Sequence, residues 1–234
     1  MSSTTPTPPS PSLTERRKAE TRMEIARAAA GLFVRHGLRA TRAEDIAHAA
    51  GIAPRTFYRY FATKEEAVAP LYATGARRWV EAVRAAPADA GVLRALEQAV
   101  RHTLTPGVGV SASSWEWVRS LLRLAEATPS LCRVWAEVCQ TSERLLGEVL
   151  AERVTRADAP GVAGAPRGGD NVAATGRPPA ITPELRFAAA VASAAVRAAL
   201  EAWAAGDGPV EGPDGPAELA LRNLAALRDF PWGP

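Results

Sequence analysis

Cysteine, long apolar runs and secretion signals are scarce in this chain of 234 residues. Two cysteines cannot build a disulfide framework, and no basic flank followed by an apolar core stands at the N-terminus, so we expect a cytoplasmic protein. The longest uncharged apolar stretch, residues 187–196, ends at Arg197, well short of the roughly 18 to 20 residues that a membrane span requires. We therefore expect no membrane partner.

Catalytic and metal-binding motifs are missing too. The three histidines, His36, His48 and His102, have no cysteine or carboxylate at metal-ligand spacing on one helix face, so we predict neither a metal site nor a cofactor. We find no G-x-S-x-G, no H-E-x-x-H, no phosphate-cradling loop and no carboxylate pair at a defined spacing. An enzyme with an incidental basic N-terminus is the disfavoured alternative.

Positive charge is concentrated near the N-terminus. The whole chain carries a net charge of +3, but residues 13–64 hold 11 basic and five acidic residues, a local +6 that leaves −3 for the remainder. A basic segment on a weakly acidic body is typical of a phosphate-binding module attached to a regulatory or assembly domain. Charge alone leaves open a solvated basic helix without a partner.

Segments rich in proline and glycine divide the chain. Residues 1–12 contain Ser, Thr and Pro without charge and predict a disordered lead, while residues 158–181 and 206–216 predict loops. Between these segments, apolar residues recur at i, i+3 and i+4, which predicts an all-α protein of about nine helices.

Capping residues predict where the helices begin and end. Thr14 would start the first helix and Gly37 would end it, and Thr63 with Glu66 would form a capping box before a helix that ends near residue 86. A capping threonine before a proline, at 128–129 and at 182–183, would open two long helices. The other predicted helices, with these two, are 43–50, 54–60, 90–104, 113–125, 129–153, 183–205 and 216–229.

The clearest functional signal lies in residues 40–64, which read ATRAEDIAHAAGIAPRTFYRYFATK. Two short helices joined through Gly51 are typical of the helix-turn-helix motif. Ile46 would face the core from the first helix, and Phe57 and Phe61, four residues apart, would form the buried face of the second. The second helix would then present small or polar side chains to base edges from its first turn.

These residues resemble the N-terminal module of the tetracycline-repressor (TetR) family of bacterial transcription factors. The run T-F-Y-R-Y-F-x-x-K, preceded by an amphipathic helix of the right length, carries the resemblance through nearly all of residues 20–70. The resemblance implies a three-helix DNA-binding domain, a helical ligand-binding and dimerisation domain, and repression controlled by a small molecule. The domains would be a disordered lead at 1–13, a helix-turn-helix domain at 14–64 and an effector domain at 65–234.

The same resemblance assigns the DNA contacts. The predicted set is Arg42, Glu44, Pro54, Arg55, Thr56, Tyr58, Arg59, Tyr60 and Lys64. The residues at 54–56 occupy the base-reading turn, and the two tyrosines and the lysine occupy phosphate-clamping positions. Arg55 is the expected specificity determinant, because bidentate pairing of a guanidinium with guanine contributes about 1 to 3 kcal/mol of discrimination.

Some positions depart from the family pattern or allow another interpretation. Arg42 stands where the family commonly has a small hydroxyl residue, and Ala53 stands where Ser or Thr would cap the recognition helix. Tyr58 and Tyr60 would be ordinary core residues without the family match, and Arg59 either contacts phosphate or is solvated. A helical ligand-binding dimer without DNA recognition therefore stays an alternative, as does activation in place of repression.

The body of the chain predicts a homodimer. One face of the predicted helix 183–205 is rich in small residues that allow close helix approach. The stripe consists of Leu185, Ala188, Ala192, Ala195, Val196, Ala199 and Trp203. The resemblance implies that this helix and 216–229 form a four-helix interface with a second copy, and the alternative is that the stripe is internal core.

A small-molecule effector would bind among the middle helices. The predicted pocket residues are Trp115, Arg119, Leu122, Arg123 and Trp135, although aromatic residues at helical spacing are more often core. The segment 117–135 also resembles the C-terminal domain of a TetR subgroup whose type member regulates the mycofactocin system, which implies an acyl-CoA-like or hydrophobic effector. Arg119 or Arg123 would then meet an anionic head group, unless each is an interhelix or surface arginine.

The two cysteines, Cys132 and Cys139, would lie on one helix face about 10.5 Å apart along the axis. They cannot bridge each other, since a disulfide requires Cα atoms within roughly 7 Å. We predict buried packing for both, with a thiol sensor as the alternative.

Overall fold

The computed structural model describes residues 12–107, 112–158 and 180–232. These residues form nine α-helices and one short 3-10 helix, which confirms the all-α prediction for this part of the chain. The predicted lead, apart from Ser12, and residues 159–179 of the predicted loop lie outside the described residues. The helices are α1 Leu13–His36, α2 Ala43–Ala49, α3 Pro54–Tyr60, the 3-10 helix Glu66–Val68, α4 Ala69–Ala85, α5 Val92–Leu104, α6 Ala112–Ala127, α7 Pro129–Asp158, α8 Pro183–Ala205 and α9 Pro216–Ala225.

Predicted helix starts agree with the structure where a proline occupies the first helical position, as in α3, α7, α8 and α9. Thr182 accepts a hydrogen bond from the amide of Leu185 (3.3 Å) at the start of α8, and α3 and α8 also end where predicted. The predicted ends of α7 and α9 are wrong by several residues. α7 continues to Asp158, and α9 stops at Ala225 in a series of turns.

The start of α1 also corrects the prediction. The helix begins at Leu13, and its cap is Ser12 in place of a start at Thr14. The hydroxyl of Ser12 accepts from the amide of Glu15 (3.2 Å), whose carboxylate accepts from the amide of Ser12 (2.7 Å). This reciprocal pair is a capping box, and it fixes the helix start one turn before Arg16.

The predicted capping box at residue 63 forms in part. Thr63 accepts from the amide of Glu66 (3.2 Å), but the carboxylate of Glu66 accepts from the amide of Ala62 (3.1 Å) and not from that of Thr63. A 3-10 helix, Glu66–Val68, stands between this turn and α4, so Thr63 does not occupy the cap position of the long helix.

The chain divides into two compact units, Met1–Leu71 and Tyr72–Pro234. In the first unit, α1, α2 and α3 each turn one apolar face inward. Its most deeply buried large side chains, each at most 1% exposed, are Ile25, Phe33, Ile46, Phe57 and Val68.

The second unit is built around α8. The stripe predicted as a dimer face is buried within the chain itself, where it packs with residues of α5, α6, α7 and α9. Every member of the stripe, from Leu185 to Trp203, is at most 8% exposed. The prediction that this stripe contacts a second copy is therefore wrong, because small side chains permit close approach to helices of the same chain as well.

α8 is also long and apolar enough to cross a membrane by length and composition alone. Its most apolar window has a mean hydropathy of 1.3, and 44% of that window is buried inside the protein. Core helices of soluble proteins pass the same test, so this helix is weak evidence for a membrane segment.

A buried arginine braces the second unit. Arg153 on α7 is 6% exposed, and its guanidinium donates to the carbonyls of Val83 (3.3 Å), Ala86 (2.9 Å), Pro87 (2.8 Å) and Ala90 (2.8 Å). These carbonyls lie at the C-terminal end of α4 and in the turn before α5, where a helix leaves acceptors unsatisfied and its dipole is negative. The arginine therefore fastens α7 to the end of α4.

Candidate nucleic-acid interface

A glycine turn sets the direction in which α3 leaves α2. Gly51 has a φ of +67°, a conformation that residues with a Cβ adopt with strain. Its amide donates to the carbonyl of His48 (3.0 Å), and the amide of Ile52 donates to that of Ala47 (2.9 Å). The two short helices and this turn form the helix-turn-helix expected from the sequence.

α3 has a buried side and an exposed cationic side. Phe57 and Phe61 are 0% and 3% exposed, with ring centroids 5.8 Å apart, which confirms the predicted buried face. At 100° per residue, Arg55 and Arg59 lie on the side of the helix opposite Phe57, and both are exposed. α3 contains no acidic residue, so its exposed side offers cations and hydroxyls alone.

The other predicted contacts of α3 surround these two arginines. Pro54 is exposed, and Tyr58 is 52% exposed, so Tyr58 is not the core residue of the alternative interpretation. Thr56 and Tyr60 are half-buried at the flanks, and the guanidinium of Arg59 lies 5.5 Å from the ring centroid of Tyr60. The hydroxyls and the two guanidinium groups therefore lie on or beside one surface.

The start of α3 does without a capping side chain. Ala53 is extended (φ −69°, ψ 147°) and makes no side-chain cap. Pro54 occupies the first helical position, where it has no N–H to satisfy. Because Pro54 has no N–H, the start of α3 has one fewer amide to satisfy than a helix that begins with another residue. This reduces the cost of the missing capping hydroxyl at Ala53.

At the start of α2, Arg42 and Glu44 form a surface ion pair. Their side chains are 75% and 45% exposed, and Nε of Arg42 lies 3.5 Å from the carboxylate of Glu44. The amide of Arg42 donates to the carboxylate of Asp45 (2.8 Å). An exposed pair of this kind contributes about 0 to 1 kcal/mol, so either side chain is free to exchange its partner for a phosphate or a base.

Lys64 has a structural role that the sequence did not reveal. Its ammonium donates to the carbonyls of Leu38 (2.7 Å) and Thr41 (2.8 Å), and the side chain is half-buried. Two of its three N–H groups therefore hold the turn between α1 and α2. One N–H is left for the predicted phosphate contact.

Arg22 is a residue of this module that the sequence reasoning missed. Its guanidinium donates to the carbonyl of Tyr60 (3.2 Å) and lies 4.7 Å from the ring centroid of Phe61, so it joins α1 to the C-terminal end of α3. The signal was present in the spacing, because Arg22 precedes the buried Ile25 and Ala29 by three and seven residues and so shares their helix face.

The predicted effector residues of α6 and α7 have mixed environments. Trp115 is 1% exposed and meets Trp203 edge-on at 5.4 Å, and Leu122 is 5% exposed. Trp135 is half-buried, and its indole N–H donates to the carboxylate of Glu201 (2.8 Å). Trp115 and Leu122 are thus core residues, whereas Trp135 lies at the edge of the core.

The two predicted head-group arginines are engaged within the chain. Arg119 donates to the carbonyl of Gly208, and its guanidinium lies 4.2 Å from the ring centroid of Trp203. Arg123 donates to the carbonyls of Ala204 (2.6 Å) and Gly206 (2.8 Å) and pairs with Asp207 (2.7 Å). Both arginines therefore hold the C-terminal end of α8, which favours the interhelix role over ligand binding.

A cleft of about 160 Å³ lies between the start of α6 and the end of α8. It includes two of the five predicted pocket residues, Trp115 and Arg119, and not Leu122, Arg123 or Trp135. Sites for small molecules are typically about 300 to 1,000 Å³, so this cleft is too small for an acyl-CoA. Its lining is Trp115, Glu116, Arg119, Trp203, Asp207, Gly208, Pro209 and Val210.

The cysteines differ in exposure. Cys132 is exposed, so the prediction of buried packing is wrong for it, and Cys139 is half-buried. The buried stripe of α7 passes through Leu131 and Val134, and Cys132 turns away from it. Burial raises the pKa of the Cys139 thiol to about 12, so this thiol stays protonated and unreactive near neutral pH.

Comparisons with known proteins agree with this geometry. A family model for bacterial regulatory proteins of the tetR family matches residues 25–69, which include α2 and α3. The chain is 34% identical over 157 residues to the HTH-type transcriptional regulator TcmR of Streptomyces glaucescens, an alignment that covers 64% of this chain and 68% of TcmR.

Similar solved structures include two repressors. FadR of Thermus thermophilus, a TetR-family transcriptional repressor in complex with lauroyl-CoA, is 20% identical with a TM-score of 0.53, covering 88% of this chain and 92% of FadR. NalD of Pseudomonas aeruginosa, the secondary repressor of a multidrug efflux pump, is 21% identical with a TM-score of 0.51, covering 90% of this chain and 99% of NalD. At these identities the likeness shows the fold.

Proposed function

Because the chain belongs to the TetR family of bacterial transcriptional regulators, we propose that it is a repressor that binds a palindromic operator as a homodimer and dissociates when a small-molecule effector binds. The observation that carries this proposal is the exposed side of α3, where Arg55 and Arg59 lie opposite the buried Phe57. Cations and hydroxyls without a carboxylate match the acceptors of guanine and of the phosphates along a major groove.

Base reading is assigned to the first turn of α3. The guanidinium of Arg55 is exposed, and no hydrogen bond or ion pair holds it in the described part of the chain, so both edges of its fork are available to N7 and O6 of a guanine. Pro54 and Thr56 flank it at the same turn. Tyr58 and Arg59 lie further along the exposed side, at positions suited to phosphate contacts, which fix the register but do not read sequence.

The homodimer would form through the outward face of α8. Phe187 is 62% exposed, and Ala190, Val191, Ala194 and Ala198 follow it on the side of the helix away from the core stripe. This face explains why so apolar a helix is less than half buried in the single chain. A second copy would remove it from water, which is favourable by about 25 cal/mol per Å² of apolar surface. Two-fold symmetry would then place two copies of α3 in major grooves roughly 34 to 36 Å apart.

The effector is proposed to be hydrophobic or acyl-CoA-like and to bind the second unit. Two observations support this class: the complex of FadR with lauroyl-CoA, and the resemblance of segment 117–135 to a subgroup with acyl-CoA-like ligands. Since the cleft beside Trp115 is too small, the effector would select a conformation in which α6 and the end of α8 are further apart. Operator and effector would then oppose each other through a coupling free energy of about 1 to 3 kcal/mol.

The proposed regulator would work in the cytoplasm and act by binding DNA and an effector. Among the described residues, no group of three or more His, Cys, Asp or Glu side chains is arranged to hold a metal ion. Specific DNA binding requires none of these groups, because hydrogen bonds and charge carry it.

Selection of DNA from a random duplex library tests the proposal. The wild type is compared with Arg55→Ala and with Arg228→Ala, a control that removes an exposed arginine from the second unit. We expect the wild type and the control to recover the same inverted repeat. Arg55→Ala should relax the preference at one position of each half-site, with a loss of discrimination of about 5- to 150-fold, the equivalent of about 1 to 3 kcal/mol.

Two further readouts complete the test. Operator affinity should fall steeply with salt, because each phosphate contact releases condensed counterions. Lauroyl-CoA, added to the operator complex, should lower the fluorescence anisotropy of labelled DNA. Recovery of no motif at low salt, with dimers intact by analytical ultracentrifugation, would refute the proposal and support a ligand-binding dimer without DNA recognition.

A further inference from the structure

The first eight residues of α1 extend from the first unit without packing against it. All residues from 12 to 20 are exposed, whereas the buried face of α1 begins at Ile25. The tetR family model also starts at residue 25. We name residues 13–20 the α1 extension, and it lies outside both the buried core and the matched module.

The α1 extension carries three consecutive cations, Arg16, Arg17 and Lys18. All three are exposed, and in the described part of the chain no hydrogen bond or ion pair engages their side chains. Of its two carboxylates, Glu15 is committed to the capping box with Ser12. The cations are therefore available to a ligand of opposite charge, unlike Lys64 and Arg22 in the same unit.

The extension is continuous with the candidate DNA interface. Arg22 contacts the carbonyl of Tyr60 at the C-terminal end of α3, and Lys18 lies one turn before Arg22 on the same face of α1. At 1.5 Å per residue, the extension adds about 12 Å of helix beyond the packed part of α1. Lys18 is therefore the cation nearest the end of α3, and Arg17 and Arg16 lie progressively further from it along α1.

We propose that the α1 extension is a second DNA-contacting element, in which Arg16, Arg17 and Lys18 bind backbone phosphates flanking the half-site that α3 reads. This inference rests on the proposed function. Phosphate is the fitting partner, because the three cations cover a wide arc of the helix and phosphate contacts position a protein on DNA without reading bases. The extension adds affinity and salt dependence and leaves base preference unchanged.

The test variant is R16Q/R17Q/K18Q, in which glutamine keeps the helix propensity and removes the charge. The matched control is R94Q/R133Q/R228Q, which removes three exposed arginines from the second unit and changes the net charge equally. Both are compared with the wild type as full chains on the operator recovered by selection. Far-ultraviolet circular dichroism checks that both retain their helices.

The expected result is a change in the salt dependence of operator binding. The slope of log K against log salt falls by about 0.9 for each phosphate that the protein no longer neutralises, hence by up to about 5 for three cations in each of two protomers. Hydroxyl-radical footprinting should show that protection outside the half-sites disappears in the test variant. The control should keep the wild-type slope, footprint and selected sequence.

Other outcomes overturn the inference. If the test variant keeps the slope and footprint of the control, the α1 extension does not contact DNA, while the proposed function stands on the operator and on Arg55→Ala. If the selected sequence changes, the extension reads bases and the assignment to phosphates is wrong. If the wild type selects no operator at all, the proposed function itself fails, and the extension fails with it.

Discussion

Replacement of Arg153 by methionine tests whether a buried cation that donates to four backbone carbonyls stabilises the second unit. A hydrogen bond from a charged donor contributes about 1.5 to 3 kcal/mol. Four such bonds would give an upper limit of about 6 to 12 kcal/mol for the loss of stability, which is more than one substitution usually costs. Water can replace the donor at Pro87, which is exposed, and in part at Ala86 and Ala90, which are half-buried. The carbonyl of Val83, in the core, keeps the amide of Ala86 as a donor (3.3 Å), so it bears the lower end of the cost of about 1 to 3 kcal/mol. With smaller contributions from Ala86 and Ala90, we therefore expect a loss of about 2 kcal/mol in the free energy of unfolding.

Urea denaturation followed by tryptophan fluorescence measures this loss in the second unit alone. All six tryptophans lie after residue 71: Trp79, Trp115, Trp117, Trp135, Trp203 and Trp232. Protein concentration is held constant, because the proposed dimerisation would make apparent stability depend on it. The midpoint should fall while the slope m stays unchanged, since methionine leaves the folded surface nearly the same.

Two companion variants sharpen the result. Arg153→Lys should lose less than Arg153→Met, because an ammonium retains the charge but has three donors and no planar fork. Arg133→Met, at an exposed position of the same helix, should change stability by less than about 0.5 kcal/mol. A loss below about 1 kcal/mol for Arg153→Met, or an equal loss for Arg133→Met, would refute the reasoning.

Three shorter predictions concern the dimer, the thiols and the DNA-binding module. Phe187→Glu places a charge on the outward face of α8, so light scattering should show monomers and operator affinity should fall; an intact dimer would contradict that interface. A chromogenic disulfide at pH 8 should label Cys132 in the native protein and Cys139 only after denaturation, because burial raises the pKa of Cys139 to about 12; two native equivalents would contradict this. Lys64→Met should destabilise the first unit by about 1 to 3 kcal/mol, measured by hydrogen exchange, because the carbonyl of Thr41 loses the ammonium donor and that of Leu38 keeps only the amide of Thr41 (3.4 Å).

Local signals predicted the parts of the fold that depend on a few neighbouring residues. The proline that starts α3 and the Thr182-Pro183 pair that starts α8 fixed two helix bounds, and the spacing of Phe57 and Phe61 identified the buried side of α3. Capping and amphipathic spacing act within one or two turns, so a sequence displays them directly. The resemblance added the arrangement of three helices, which no local signal contains.

The sequence did not predict which residues pack against each helix face, because residues that pack together lie far apart along the chain. α8 is rich in alanine on several sides, so its composition does not distinguish the stripe that packs in its own chain from the face that includes Phe187. Arg123 contacts residues more than 80 positions away. The periodicity of a sequence predicts which face of a helix is apolar. Tertiary packing determines which residues cover that face.

Five of the predicted site cations fall into two physical classes, and the division explains which of them are suited to DNA. Lys64, Arg119 and Arg123 donate to backbone carbonyls, so a phosphate would have to compete for donors that already hold the fold. Arg55 and Arg59 are exposed on α3 without a competing carbonyl among the described residues. Removal of a cation of the first class should lower stability. For Arg119 and Arg123 the salt slope of any remaining DNA binding should stay nearly unchanged, whereas loss of Lys64, which keeps one free N–H, should reduce it by at most about 0.9. Removal of one of the second class should reduce that slope by about 0.9, or relax a base preference, at unchanged stability. Both measurements on one set of variants would therefore separate structural cations from DNA contacts without a structure of the complex.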